Sequence, residues 1–283
     1  MRIKLLILTA LSVGLTACGN HEIAEENVMH DTTAAVVDTT PNTASDTIKF
    51  KFDFAVANIP SPATALTDLK NYGVDYDNSI LNAPANLSKY TSEHQKALNL
   101  GIYNIDMAYA MVYQKGSEVL EYMKPVMKMS DNLGLKSAVQ VMVGKRAEAN
   151  LNNLDSLYAI LDEIFVKSDT YLRSNDRILT ASTIFAGSWI ETLYLNCRIA
   201  EKTQDASKRA QARQHLWEQR FHLANLINVL NDFKDKPDCK NLIAELKPVQ
   251  EQIQAIPSAD KLDDATFHAI TEKMATLRQH ITL

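Results

Sequence analysis

Ile178-Leu-Thr-Ala-Ser-Thr-Ile-Phe-Ala-Gly-Ser-Trp-Ile-Glu-Thr-Leu-Tyr-Leu-Asn-Cys197 carries apolar side chains on nearly every face of a helix. A surface helix confines its apolar residues to one stripe, whereas one that is apolar all round belongs in an interior. Leu179, Ile184, Phe185, Trp189, Ile190, Leu193, Tyr194 and Leu195 supply that surface, so the segment is predicted to be the central helix of an all-α fold. A membrane span needs about 20 predominantly apolar residues. Glu191, with Thr180, Ser182, Thr183, Gly187 and Ser188, makes this stretch too polar for that role. Gly187, lacking a Cβ, is expected to let a neighbouring helix come close.

Helical signals surround this stretch on both sides. Ser92-Glu93 opens a helix to about Tyr113, with Leu98, Ile102, Ile105, Met107, Ala108 and Met111 at core spacing. Ser117 to Leu133 follows, kinked by Pro125 and stopped by Gly134. Further helices are predicted from Ser61-Pro62 to Gly73, from Pro84 to about Tyr90, and from Ser137 to Asn150. Asp155 is expected to cap a helix reaching Ser174, and Asn175-Asp176 breaks the pattern before a helix over Arg177 to Lys202. Gln204 to Asp232, Pro237 to the residue before Pro257, and a last helix capped by Asp263 complete the set. The later loops are short, which favours antiparallel neighbours. A 34-residue helical-repeat pattern is absent. The expected fold is therefore a set of irregular antiparallel helical hairpins around one central apolar helix, over residues 61–283.

One segment breaks the helical pattern. Ile48-Lys-Phe-Lys-Phe-Asp-Phe-Ala-Val56 alternates apolar with mostly polar residues, the period of a half-buried strand. It is expected to form an extended strap over residues 48–60, laid along the helical domain or offered to a partner's sheet edge.

Polar residues inside apolar helices are the candidates for chemistry. Glu191 must find a partner or take up a proton, because burying an isolated charge is costly. Tyr103, Asp106 and Tyr109, with Asn104 between them, punctuate the helix from Ser92, and Trp189 sits two residues before Glu191. Lys145 and Arg146 are the expected cationic partners for Glu191. Two readings follow: a buried network that fixes helix register, or the polar floor of a ligand pocket with Tyr and Trp walls. Met107, Met111, Met123, Met127, Met129 and Met142 are read as gap-filling core residues.

Other motif searches find no reaction to argue for. No histidine follows a glutamate at the spacing of a di-iron bundle, and phosphate loops, His-Glu-x-x-His and Gly-x-Ser-x-Gly elbows are absent from the sequence. His215 and His222 are two turns apart, roughly 10 Å, too far for one ion unaided. The expectation is a protein that is not an enzyme and needs no metal or cofactor. Cys197 and Cys239 are predicted to be free buried thiols, since a return helix spanning about 42 Å would hold them apart, and a disulfide needs Cα atoms within about 7 Å.

The N-terminus carries an address. Arg2 and Lys4 precede an apolar run from Leu5 to Leu15, and small residues lead into Cys18, the layout of a secretory signal. Leu15-Thr16-Ala17-Cys18 resembles the lipobox of bacterial lipoproteins. The resemblance implies that residues 1–17 are removed, that the Cys18 thiol is acylated, and that the protein is anchored to a membrane through that lipid. Gly19 follows the cysteine where an aspartate would resemble an inner-membrane retention signal, which favours the outer membrane. Residues 18–47 contain Glu22, Glu25, Glu26, Asp31, Asp38 and Asp46 without Lys or Arg, and read as an acidic tether with a span of roughly 30 Å. Those acids account for most of the negative charge, so the remainder is close to neutral and lacks the basic footprint of a nucleic-acid binder. Taken together, the sequence suggests a lipid-anchored envelope protein with an interaction or structural role and an envelope protein as its partner. The alternative is a small-ligand-binding lipoprotein.

Overall fold

The computed structural model describes residues 44–57, 69–135 and 153–283, together with positions 66, 146, 149 and 150. Signal, lipobox and most of the acidic tether lie outside the described residues, as does most of the segment predicted as a helix from Ser137 to Asn150. Within the described residues the fold is all-α: helices α1 (Ala44–Ala57), α2 (Glu93–Val112), α3 (Gly116–Asn132), α4 (Leu154–Ser174), α5 (Ile178–Ala200), α6 (Ala206–Asn231), α7 (Pro237–Gln254) and α8 (Asp264–Thr282). Short 3₁₀ turns at Asn78–Ile80, Pro84–Lys89 and Ala259–Lys261 sit in the connections.

Helix boundaries follow local chemistry. Ser92 accepts from the Gln95 N–H while the Gln95 side chain accepts from the Ser92 N–H, a reciprocal cap that starts α2. Asp205 and Asp263 accept from the first-turn N–H groups of α6 and α8. The α4 cap is Asn153, not Asp155; its side chain accepts from the Ser156 N–H at 3.0 Å. Gly134 and Asp176 take left-handed backbone angles where α3 and α4 stop. Pro125 lies inside α3, as expected.

The strap is the main correction. Residues 48–56 belong to helix α1. A spacing of two is ambiguous when the apolar row is long enough: Ile48, Phe52 and Val56 recur every four residues and form a helical stripe of their own. Phe52 is buried, with its ring edge-on to Phe185 of α5 at 6.1 Å between centroids. Phe50 and Phe54, the other half of the alternation, face outward and are 59% and 54% exposed. Pairs between Lys51 and Asp232 (2.8 Å), Asp53 and Arg173 (2.5 Å), and Lys49 and Asp176 (2.7 Å) tie α1 to α6 and to the end of α4. Positions 44–47, read from the sequence as the end of the tether, belong to helix α1 as well.

α5 is the centre, as its composition predicts. Its most extensive contact is with α2, and the two run parallel: Glu93 meets Arg177 and Thr180 at one end, and Asp106 meets Glu191 at the other. Their crossing is built on glycine. A Cβ placed on Gly187 would lie 2.0 Å from the Leu98 carbonyl oxygen, and one on Gly101 would lie 2.2 Å from that of Ile184. Ser188 Oγ approaches the Gly101 carbonyl at 3.4 Å in the same crossing. α8 runs antiparallel to α5, pairing Arg278 with Glu191 and His268 with Glu201. α6 folds back on α5 as a hairpin, with Trp189 Nε1 donating to Gln219 Oε1 at 3.0 Å.

Met107, Met111, Met123 and Met129 are buried core residues, whereas Met127 is 38% exposed and Met142 lies outside the described residues. Cys197 and Cys239 are free and buried. Burial pushes the Cys197 thiol up to about 12, so it is inert at neutral pH. Among the described residues, no helix is long and apolar enough to cross a membrane.

Candidate functional site: a buried carboxyl and guanidinium cluster

Glu191 is completely buried on α5. Its partner is Arg278 of α8, not Lys145 or Arg146. Nε donates to Oε2 at 2.8 Å and Nη2 to Oε1 at 2.9 Å, a forked pair that uses both carboxylate oxygens. Arg146 instead pairs with Glu163 at 2.6 Å, and Lys145 lies outside the described residues. Arg278 is 87 residues from Glu191, a separation at which spacing does not distinguish one arginine from another. The guanidinium also lies over the Tyr194 ring, 4.6 Å from its centroid, and the Arg278 side chain is only 12% exposed.

A second carboxyl joins this pair. Asp106 is completely buried on α2, and its carboxyl sits beside that of Glu191. Oδ2 accepts from the Asn82 N–H at 3.1 Å. Oδ1 has no donor. Burial, followed by the charge of Glu191, raises the Asp106 carboxyl well above the ordinary carboxylate range, against the opposing pull of Arg278.

Asn82 extends the network towards the last turn of α8. Its Nδ2 donates to Tyr90 Oη (3.0 Å) and Asn99 Oδ1 (3.2 Å). Tyr90 Oη donates to the Thr282 carbonyl and Asn99 Nδ2 to the Ile281 carbonyl, both at 3.0 Å. Carbonyls at a helix end have no partner within the helix, so these side chains cap α8 from outside. No sequence rule for local capping would find Tyr90 and Asn99 in that role.

Comparison with known protein families, characterised proteins and solved structures finds no match.

The predicted site residues therefore divide. Asp106, Glu191 and Tyr103 come together: Tyr103 donates to the Ala83 carbonyl at 2.9 Å, and its ring packs against Tyr90 and Tyr122 at the edge of the cluster. Burial pushes the Tyr103 and Tyr122 phenols upward, so both are neutral walls. Tyr109 and Trp189 do not join them. Tyr109 stacks on Tyr76 at 5.1 Å and accepts from the Asp77 N–H, while Trp189 turns its indole towards α6. The two residues share helices with the cluster but point elsewhere. Asn104 is buried with no donor to its Oδ1.

A cleft of about 510 Å³ lies elsewhere, where the end of α5 meets the first turns of α6 and α8. Arg209, Arg213, Glu201, Asp264, Phe267 and His268 line it, and none of the predicted pocket residues does. Arg213 forms an ion pair with Asp264, and His268 Nδ1 lies 2.7 Å from Glu201 Oε1, so polar contacts cross-link its walls. His215 approaches Tyr72 Oη at 3.4 Å. Among the described residues, no group of His, Cys, Asp and Glu is placed to hold a metal ion.

Proposed function

We propose that this chain is a lipid-anchored bacterial envelope protein whose helical domain serves as a non-enzymatic interaction or structural subunit at the outer membrane. The observation that carries this reading is α1: the first described helix after the tether exposes Phe50 over 59% of its surface, with Phe54 one turn further on the same face. A large aromatic side chain turned to water, as at Phe50, suits a contact surface better than a core. A helical face replaces the sheet-edge strand as the expected mode of contact. Both carboxylate oxygens of Glu191 are committed to Arg278, which argues against a ligand floor at that residue.

The anchor is tested directly. In cells labelled with palmitate, the wild-type protein is expected to take up label and fractionate with membranes, and Cys18→Ser to lose both. A Cys18→Ser protein that still sediments with membranes, made alongside an unlabelled wild type, would refute the anchor. For the contact surface, Phe50→Asp is expected to leave thermal stability within about 0.5 kcal/mol, as exposed substitutions do. It should also reduce site-specific crosslinks from α1 to envelope protein several-fold.

The cleft at the α5–α6 turn favours a second reading, a small-ligand-binding lipoprotein, at a place other than Glu191. Ala212→Trp, which fills the cleft wall, would then abolish any thermal shift produced by small carboxylates or phosphates. Absence of such shifts in the wild type counts against this reading.

A further inference from the structure

We propose that one proton is built into the buried cluster, carried on Asp106 Oδ1 and shared with Glu191, and that it makes the seating of α8 through Arg278 a pH-sensitive device. This inference is independent of the anchor and of the partner surface.

Three ionisable groups from three helices meet where no water reaches the two carboxyls. The guanidinium spends its Nε and Nη2 on Glu191, leaving Asp106 without a hydrogen-bonded cation of its own. Asp106 Oδ2 has its donor in the Asn82 N–H, while Oδ1 finds none. A bare Oδ1 beside another carboxylate is repelled and unsolvated; a protonated Oδ1 becomes a donor to Glu191. With that proton the cluster is neutral, and without it a net negative charge is left in the core.

The groups facing Asp106 offer no other remedy. They are Glu191 from α5, Arg278 from α8, Tyr122 from α3, Asn82 and Tyr90 from the connection before α2, and Tyr103 from α2 itself. Arg278 is the single cation in that set, and the three phenols are raised by burial and stay neutral. The same network holds the Ile281 and Thr282 carbonyls, so a disturbance at Asp106 passes through Asn82, Tyr90 and Asn99 to the last turn of α8.

The sign follows from the direction of the shift. A carboxyl raised by folding contributes its stability below its unfolded value, near 4, and loses it as pH rises through the folded value. Between those limits each pH unit lowers the folding equilibrium constant by up to about tenfold. Release of the proton to solvent leaves two carboxylates competing for one guanidinium, and α8 loosens.

The test compares the whole protein with Asp106→Asn, which keeps the shape and removes the ionisation. Chemical denaturation between about pH 5 and pH 8 should show the wild-type folding constant falling relative to Asp106→Asn by up to about tenfold per unit. Hydrogen exchange, corrected for its intrinsic pH dependence, should speed up in α8 over the same range in the wild type alone. Infrared spectra of wild type carrying ¹³C-carboxyl aspartate should contain a protonated carboxyl band at neutral pH that shifts with the label. Parallel denaturation profiles, or no such band, would overturn the proposal. If Asp106→Asn does not fold, the labelled wild-type band alone decides.

Discussion

Gly187→Ala is expected to destabilise the protein by about 3 kcal/mol, the upper end of the usual range for overpacking. Helix propensity alone points the other way, since alanine inside a helix is favoured over glycine by about 1 kcal/mol. The crossing decides the sign. An added Cβ would meet the Leu98 carbonyl oxygen at 2.0 Å and its carbonyl carbon at 2.8 Å, and these are backbone atoms that cannot rotate away. α2 and α5 would have to separate along their whole parallel contact. Gly101→Ala should act alike, because its Cβ would strike the Ile184 carbonyl and the Ser188 nitrogen. The two substitutions relieve each other: once the helices have parted for one Cβ, the second costs less, so the double variant should be less destabilised than the sum. Thermal or urea denaturation of the three variants checks this. A stabilised Gly187→Ala would mean that the helices are not in this contact.

Arg278→Ala should cost about 3–5 kcal/mol, the scale of a buried pair broken from one side. Glu191 would then stay buried with both guanidinium bonds lost and no cation to balance its charge, beside Asp106. The loss should shrink at acid pH, where protonation removes the stranded charge. Replacing both partners gives the contrasting result: Arg278→Met with Glu191→Met leaves no charge to strand, and much of the stability should return, as apolar replacement of buried pairs often allows. Urea denaturation of the single and double variants measures the difference. A double variant no better than Arg278→Ala would show that packing of the guanidinium on Tyr194 is the larger contribution.

The central helix, the glycine crossing and most helix ends were legible in the sequence because each depends on neighbours within a turn or on composition alone. The all-round apolar surface of α5 needs no partner to be recognised, and Ser92 and Asp263 cap the residues just after them. The strand expected over 48–56 fails because Ile48, Phe50, Phe52, Phe54 and Val56 satisfy two periods at once; the docking of Phe52 against Phe185 selects the helical one. The site was half legible. That Glu191 requires a partner follows from its place in the chain, but Arg278 is 87 residues away and Arg146 was no worse a candidate on sequence grounds. Trp189 and Glu191 are two positions apart on one helix and so point to different faces, which their spacing already implies; that Trp189 meets Gln219 of α6 is not displayed by the sequence.

The long reach between Glu191 and Arg278 also bears on the order in which the chain acquires its structure. Hairpins such as α5–α6 can close early, because their loops are short, whereas contacts between distant segments must wait for the larger entropic penalty to be met. Until α8 has emerged and docked, the carboxyls at positions 106 and 191 have no counter-ion in the set that finally surrounds them. A chain lacking α8 therefore strands two carboxyls without their cation, and closing the core early carries an electrostatic penalty that only the final helix removes.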